Sequence, residues 1–240
     1  MVIINSFPYI SMIRAVLLAG CLGLLLTQGL AQDVNSSIEQ LSLHLDESEK
    51  LLKDYSFPTK SKKIHNLYLN INWQNSYAIT NSGDLIQFSG RYNAMNQAVE
   101  MKLRSGIHTL QSRKTKLVII GDNMLIPLSG EVIDMGERRI YFEILSKGKV
   151  TLLKQFTLAY FMDGTNSLTA AYNGERKYQI NPVYYTTTNY KKLTRLKLTK
   201  KRVLELFGER EQEMKQFLKS NKLKVNEEQD LKRLFDAFND

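Results

Sequence analysis

Cysteine is almost missing from this chain: its 240 residues hold one, Cys21. No intramolecular disulfide framework can form from that, and no cluster of cysteine metal ligands. Proline occurs four times and glycine thirteen, which excludes collagen-like and low-complexity sequence, and 43% hydrophobic residues exclude a wholly disordered chain. Histidine is scarce as well. His44, His65 and His108 each stand alone in local sequence, so no zinc-binding spacing is present, and all three read as ordinary surface or hydrogen-bonded histidines. Acid-rich calcium loops are missing, since Asp163-Gly164-Thr165-Asn166 carries too few carboxylates. There is no G-x-S-x-G elbow, no G-x-x-x-x-G-K-[ST] phosphate loop and no G-x-G-x-x-G turn. No cofactor and no metal is expected from the sequence, and no catalytic residue is assigned.

Charge is nearly absent from the first 31 residues, which contain Arg14 and no acid. Ala15–Leu26 is an unbroken run of apolar or small residues, and Gly29 and Ala31 then take the small-x-small positions of a cleavage site. A positive region, an apolar core and small residues in that order make a secretory signal with cleavage between Ala31 and Gln32. The core is short of the roughly 20 apolar residues of a permanent membrane span. Cleavage would leave 209 residues without cysteine and lower the net charge from +9 to +8. A lipidation alternative lies in the same segment: Leu18-Ala19-Gly20-Cys21 resembles the lipobox of bacterial lipoproteins, with Cys21 acylated. Its context is poor, because apolar Leu22–Leu26 comes next where a polar tether belongs.

Beyond the signal the chain divides by pattern. Residues 32–63 form a polar leader in which Ile38, Leu41, Leu45, Leu51 and Leu52 suit a short amphipathic helix over 37–53. From 64 to 198 the pattern is β. Leu67, Leu69 and Ile71 alternate with polar neighbours, and further strands are expected at Tyr77–Thr80, Leu85–Tyr92, Ala98–Leu103, Lys116–Ile120, Arg139–Leu145 and Val150–Phe156. A last hairpin is expected from Val183–Thr188 and Leu193–Leu198. Turn signals recur between strands, as at Asn81-Ser82-Gly83-Asp84, Ser105-Gly106 and Gly121-Asp122-Asn123, where Gly, Asn and Asp admit the positive φ of hairpins. Long helical crossovers are absent, which argues against a parallel sheet. The tail over 199–240 turns helical and is expected to pack on the β domain. Thr199 is placed to cap a helix stopped by Gly208, a second helix runs over 209–220, and Asn226 is placed to cap Glu227–Phe238 with its stripe of Leu231, Leu234, Phe235 and Phe238. The fold class is therefore α+β, mainly antiparallel β: a curved sheet, open barrel or sandwich with a C-terminal helical cap.

The stretch Leu69-Asn70-Ile71-Asn72-Trp73, the turn at Gly83, Gly90-Arg91-Tyr92-Asn93-Ala94 and Val99-Glu100 resembles the start of a family of uncharacterised exported β-rich proteins of the Bacteroidota. Tyr141–Leu145, Gly148–Lys154, Tyr184-Tyr185 and the lysine-rich helical tail are similar to its second half. The resemblance covers roughly residues 65–240 and rests on turns, strand aromatics and a helix pattern. It implies export and a β architecture, with an N-terminal Gln32 able to cyclise, and it carries over no catalytic residue.

The strongest electrostatic feature is Lys191-Lys192-Leu193-Thr194-Arg195-Leu196-Lys197-Leu198-Thr199-Lys200-Lys201-Arg202, a stretch with seven cations and no acid. In a strand, Arg195 and Lys197 share one face while Leu196 and Leu198 take the other. Export removes the chain from nucleic acid, so the expected partner is an anionic envelope surface or a protein of a larger envelope assembly. The plainer reading is a solvated edge strand. Glu100, Glu131 and Glu143 are the acids beside probable strands, and each is expected on a solvated face. The sequence points first to a non-catalytic exported envelope protein, periplasmic, outer-membrane associated or secreted, that acts as a scaffold or binding module. A carrier of an apolar ligand in a curved β-sheet is the alternative, and a hydrolase whose site is not visible in sequence stands third. Oligomeric state is not legible.

Overall fold

The computed structural model describes residues 49–59, 67–133, 136–162 and 176–239, with no statement on the side chains of 160–162, 176 and 177. The expected signal segment with Cys21, Ala31 and Gln32, most of the expected leader helix, His44 and His65 lie outside the described residues. A helical segment over 49–54 precedes eleven strands. These are β1 (Ser56–Pro58), β2 (Gln74–Thr80), β3 (Leu85–Asn93), β4 (Ala98–Leu103), β5 (Gly106–Leu110), β6 (Thr115–Ile120), β7 (Asn123–Ser129), β8 (Arg139–Ser146), β9 (Thr151–Met162), β10 (Arg176–Thr187) and β11 (Thr194–Arg195). Three helices complete the chain: α1 (Lys200–Glu205), α2 (Glu211–Ser220) and α3 (Glu228–Phe238).

Among the described residues all eleven strands belong to one sheet of order β1-β5-β4-β3-β2-β6-β7-β8-β9-β10-β11, and each pairing is antiparallel. The fold is α+β and mainly antiparallel β, and the sheet is not closed into a barrel: β1 and β11 are its two ends. Hairpins account for most of the order. Gly83 and Gly106 hold φ of +101° and +121° in the β2–β3 and β4–β5 turns, a region that favours glycine because it has no Cβ to clash.

The sheet is strongly curled. Tyr92 of β3 lies four strands from Tyr141 of β8 and five from Phe156 of β9, which in a flat sheet is about 19 and 24 Å. The ring centroids are 6.1 and 5.7 Å apart. Period-two alternation puts Ala78, Ile86, Phe88, Val99, Met101, Val118 and Leu125 on the same inward face, and together with Leu52 they fill the curl.

The inward face continues into a second cluster at the β8–β10 end. There Leu145, Leu152 and Tyr184 meet the helices through Val203, Leu204, Met214 and Leu218 and through the α3 stripe Leu231, Leu234, Phe235 and Phe238. Phe207 meets Phe235 edge to face at 5.2 Å. Asn239 secures this end, because its Oδ1 accepts from Val150 N at 3.0 Å and its Nδ2 donates to Ser146 Oγ at 3.1 Å. It packs so tightly on the β8–β9 turn that a Cβ added at Gly148 would overlap its side chain and carbonyl. The opposite face of β7–β10 carries Ile140, Phe142, Leu153 and Tyr185 under Val132, Ile133, Leu193 and Tyr190.

Several expectations are corrected. Residues 67–71 form no strand: Leu67 and Tyr68 are both buried, which breaks the two-residue period, and Tyr68 makes one isolated bridge to Asn93. The second half of the last hairpin shrinks to Thr194–Arg195, while β9 and β10 extend to Met162 and back to Arg176. Strands β1, β5 and β7 had no place in the expected pattern. Thr199 does cap α1, its side chain accepting from Arg202 N. Asn226 does not cap the last helix; the cap residue is Glu227, and the Asp230 carboxylate accepts from Lys224 N at 2.9 Å instead.

Candidate functional site

The basic stretch forms one end of the sheet. Lys191 and Lys192 sit in the turn after β10, Arg195 lies in β11, Lys197 comes just after it, and Lys200, Lys201 and Arg202 open α1. All seven are exposed, while Leu193 and Leu196 between them are buried. Arg202 pairs with Glu205 at 3.0 Å and Lys201 reaches the same carboxylate at 4.0 Å. Among the described residues the other five have no acidic partner within ion-pair distance. An open recess of about 500 Å³ runs beside them, lined by Pro182, Tyr184, Arg195 and Lys197. The first turn of α1 holds no acid, whereas α2 and α3 begin with acids, as the helix dipole favours.

Two charged groups expected on solvated faces are instead buried. Glu143 of β8 is 8% exposed on the inward face, directly across from Lys154 of β9, which is itself across from Tyr184 of β10. The Lys154 ammonium lies 2.7 Å from Glu143 Oε2 and 2.8 Å from Glu228 Oε1, and the Tyr184 hydroxyl donates to Glu228 Oε2 at 2.8 Å. Burial pushes the Glu143 carboxyl above its ordinary range, opposed by the hydrogen bond and charge of Lys154 and reinforced by the charge of Glu228. Burial, with the bond to Glu228 after it, likewise raises Tyr184. This row separates the two apolar clusters of the inward face.

Glu100 is 2% exposed on the outward face. Arg91 donates to its Oε2 from Nε at 3.0 Å and Nη2 at 2.8 Å, Asn93 donates to its Oε1 at 2.9 Å, and the guanidinium is stacked between the Tyr68 and Trp73 rings at 3.8 and 4.2 Å. The segment over 67–73 is thereby laid across β3 and β4. Glu131, the third acid, is exposed and accepts from Ser129 Oγ at 3.1 Å.

His108 is buried in β5 with both ring nitrogens engaged, Nδ1 with Ser56 Oγ at 3.3 Å and Nε2 with Ser105 Oγ at 3.1 Å. The Glu49 carboxylate accepts from Ser105 and not from the imidazole, and the Ser56 hydroxyl donates to Leu52 O at 2.8 Å. A catalytic triad needs the carboxylate on the histidine, so these residues do not make one. Among the described residues no group of three or more His, Cys, Asp or Glu could hold a metal ion, and no helix is long and apolar enough to cross a membrane. Compared with known proteins, the chain matches no family, no curated protein and no solved structure.

All seven predicted contact residues are thus exposed, in the turn after β10, in and just after β11, and in the first turn of α1. Sequence reasoning missed Lys154, Glu228 and Tyr184 as partners of Glu143, because they lie up to 85 positions apart from it and no local motif links them.

Proposed function

We propose that this chain is a non-catalytic exported envelope protein that holds on to an anionic surface through its basic ridge. The observation that carries the reading is the row Lys191, Lys192, Arg195, Lys197 and Lys200, exposed and without acidic partners among the described residues, on a ridge anchored from beneath by Leu193 and Leu196. Placing Lys200, Lys201 and Arg202 in the first turn of α1 opposes the helix dipole, a small cost in stability that binding at this ridge would account for. Each such cation contributes about 1 kcal/mol near an anionic membrane, so five supply enough to hold the protein at a charged surface, and salt screens the attraction. The curled sheet acts as the scaffold, an open half-barrel whose β8–β10 end is covered by the C-terminal helices. The test is co-sedimentation with phosphatidylcholine vesicles with and without phosphatidylglycerol, at low and high salt. Binding should require the anionic lipid and fade with salt. Changing Lys191, Lys192, Arg195 and Lys197 to Gln should weaken it by about three orders of magnitude. Unchanged binding by that variant would remove the ridge from the account. The carrier reading has less support, because the inward-facing side chains pack against one another and leave the curl filled.

A further inference from the structure

A second candidate site lies away from the ridge. Beside β5 and the start of β8, an open recess of about 440 Å³ is bordered by Phe57, Leu110, Gln97, Tyr141 and three arginines, the exposed Arg113 and Arg138 and the half-buried Arg139. That volume falls within the ordinary range of small-molecule sites. The arginines come from different segments, Arg113 from the turn after β5, Arg138 from just before β8 and Arg139 from its first position. Among the described residues none of them has an acidic partner within ion-pair distance. Two are oriented by backbone carbonyls: Arg138 Nη2 donates to Asn96 O at 2.7 Å and Arg139 Nη1 to Pro127 O at 2.9 Å. A guanidinium has five donors, so most of each fork is left for another acceptor.

Two lining residues also carry buried polar atoms without partners. The Tyr141 hydroxyl and Gln97 Oε1 make no hydrogen bond, and neither does the hydroxyl of Tyr92, whose ring meets that of Tyr141 at 6.1 Å. The neighbouring Thr115 hydroxyl is turned toward the carbonyls of Gln111 and Ser112. Gln97 is fixed, because its Nε2 donates to Ala94 O at 2.7 Å and Phe156 O at 2.6 Å, which leaves Oε1 as a free acceptor. Its backbone holds φ at +51°, an unfavourable value for a residue with a side chain, and such strain is concentrated at functional positions. Buried polar atoms in native proteins are nearly always paired, so two orphans on lining residues of one recess, Tyr141 and Gln97, point to a missing partner. Burial raises both tyrosine hydroxyls far above their ordinary range, so they remain protonated donors at neutral pH.

We propose that this recess binds a small hydroxylated organic anion, with its oxyanion group at Arg113, Arg138 and Arg139 and a hydroxyl group bonded to Gln97 Oε1 and the Tyr141 hydroxyl. The apolar wall of Phe57 and Leu110 accommodates the carbon skeleton. Phosphate and carboxylate are both suited to arginine forks.

The experiment is titration of the full chain with glucose 6-phosphate and with gluconate, monitored by heteronuclear NMR, using glucose and inorganic phosphate as part-ligands. At least one of the two hydroxylated anions should shift the Gln97 amide and the arginine Nε signals and bind at least tenfold more tightly than either part-ligand. Equal binding of inorganic phosphate would show plain charge attraction and overturn the proposal, as would no binding by either anion. Tyr141→Phe separates a ligand role from a packing role. It removes an unsatisfied buried hydroxyl, so the melting temperature should hold or rise, while affinity falls about tenfold. If the variant is folded and binds as well as the wild type, the hydroxyl has no ligand and the proposal fails. Arg138→Gln with Arg139→Gln should reduce binding further without moving the vesicle affinity of the basic ridge.

Discussion

Replacing Lys154 with Met tests what the polar row on the inward face does for the protein. The methionine keeps most of the aliphatic length and removes only the ammonium. Lys154 and Glu143 have side chains 10% exposed, and Glu228, at 36%, is open enough for water to screen it. The cost therefore falls on Glu143, left buried among apolar neighbours with no counter-charge. Breaking a buried pair from one side costs about 3–5 kcal/mol, and in a domain of this size that corresponds to a fall of about 6–20 °C in melting temperature. The pH dependence has a fixed sign. Glu143 already titrates above its ordinary value of 4.5 because of burial, and the substitution takes away both effects of Lys154 that oppose the rise. A carboxyl whose folded value exceeds its unfolded one stabilises the fold below the unfolded value, and that stability is lost as pH rises through the folded value. Lys154→Met should therefore be mildly destabilised near pH 4 and strongly so at pH 8. Urea denaturation monitored by circular dichroism at both values measures it. Adding Glu143→Gln should recover most of the loss and abolish its pH dependence. Equal destabilisation at the two pH values, or a double variant no better than the single one, would refute the assignment of the cost to a stranded Glu143.

Packing sets two further outcomes. Arg91→Lys keeps the charge but loses the two-pronged bond to Glu100 and the stack between Tyr68 and Trp73, and should cost about 2–3 kcal/mol; Trp73 is the sole tryptophan, so its emission should shift as 67–73 loosens. Asn239→Ala leaves Val150 N and Ser146 Oγ without their partner and should cost about 1–3 kcal/mol by thermal denaturation, with faster amide exchange confined to the β8–β9 turn.

The parts of the fold legible in the sequence are those set by neighbours along the chain. Gly83, Gly106 and Gly121 mark their turns because only a positive φ fits there, and the last helix shows its stripe at helical spacing. The parts that escaped the sequence depended on distant partners. Strand β7 contains Pro127 and few alternating positions, and β5 includes buried His108, so neither shows a two-residue period. Residues 67–71 mimic a strand because their alternation happens to be regular, yet Tyr68 is held against the outward face of the sheet by Arg91. Charges were misread most. Glu100 and Glu143 look solvated on their own strands; the segment over 67–73 covers the first, and the curl of the sheet with the arrival of α3 buries the second. The exposure of the seven cations over 191–202 was legible because exposure needs no partner. The arginine-bordered recess was not, since Gln97 is fixed by a carbonyl 59 positions away.

The polar row also bears on how the chain reaches its folded state. Glu228 lies 74 positions beyond Lys154, and Phe235 and Phe238 come later still. A chain that emerges from its amino end presents Leu145, Leu152 and Tyr184 as an uncovered apolar surface before α3 exists to cover them. During that interval Lys154, paired with Glu143, puts charge at the margin of the surface, where it discourages pairing with a second chain. The same side chain that later ties helix to sheet thus acts first as a gatekeeper, and the docking of Glu228 ends that role.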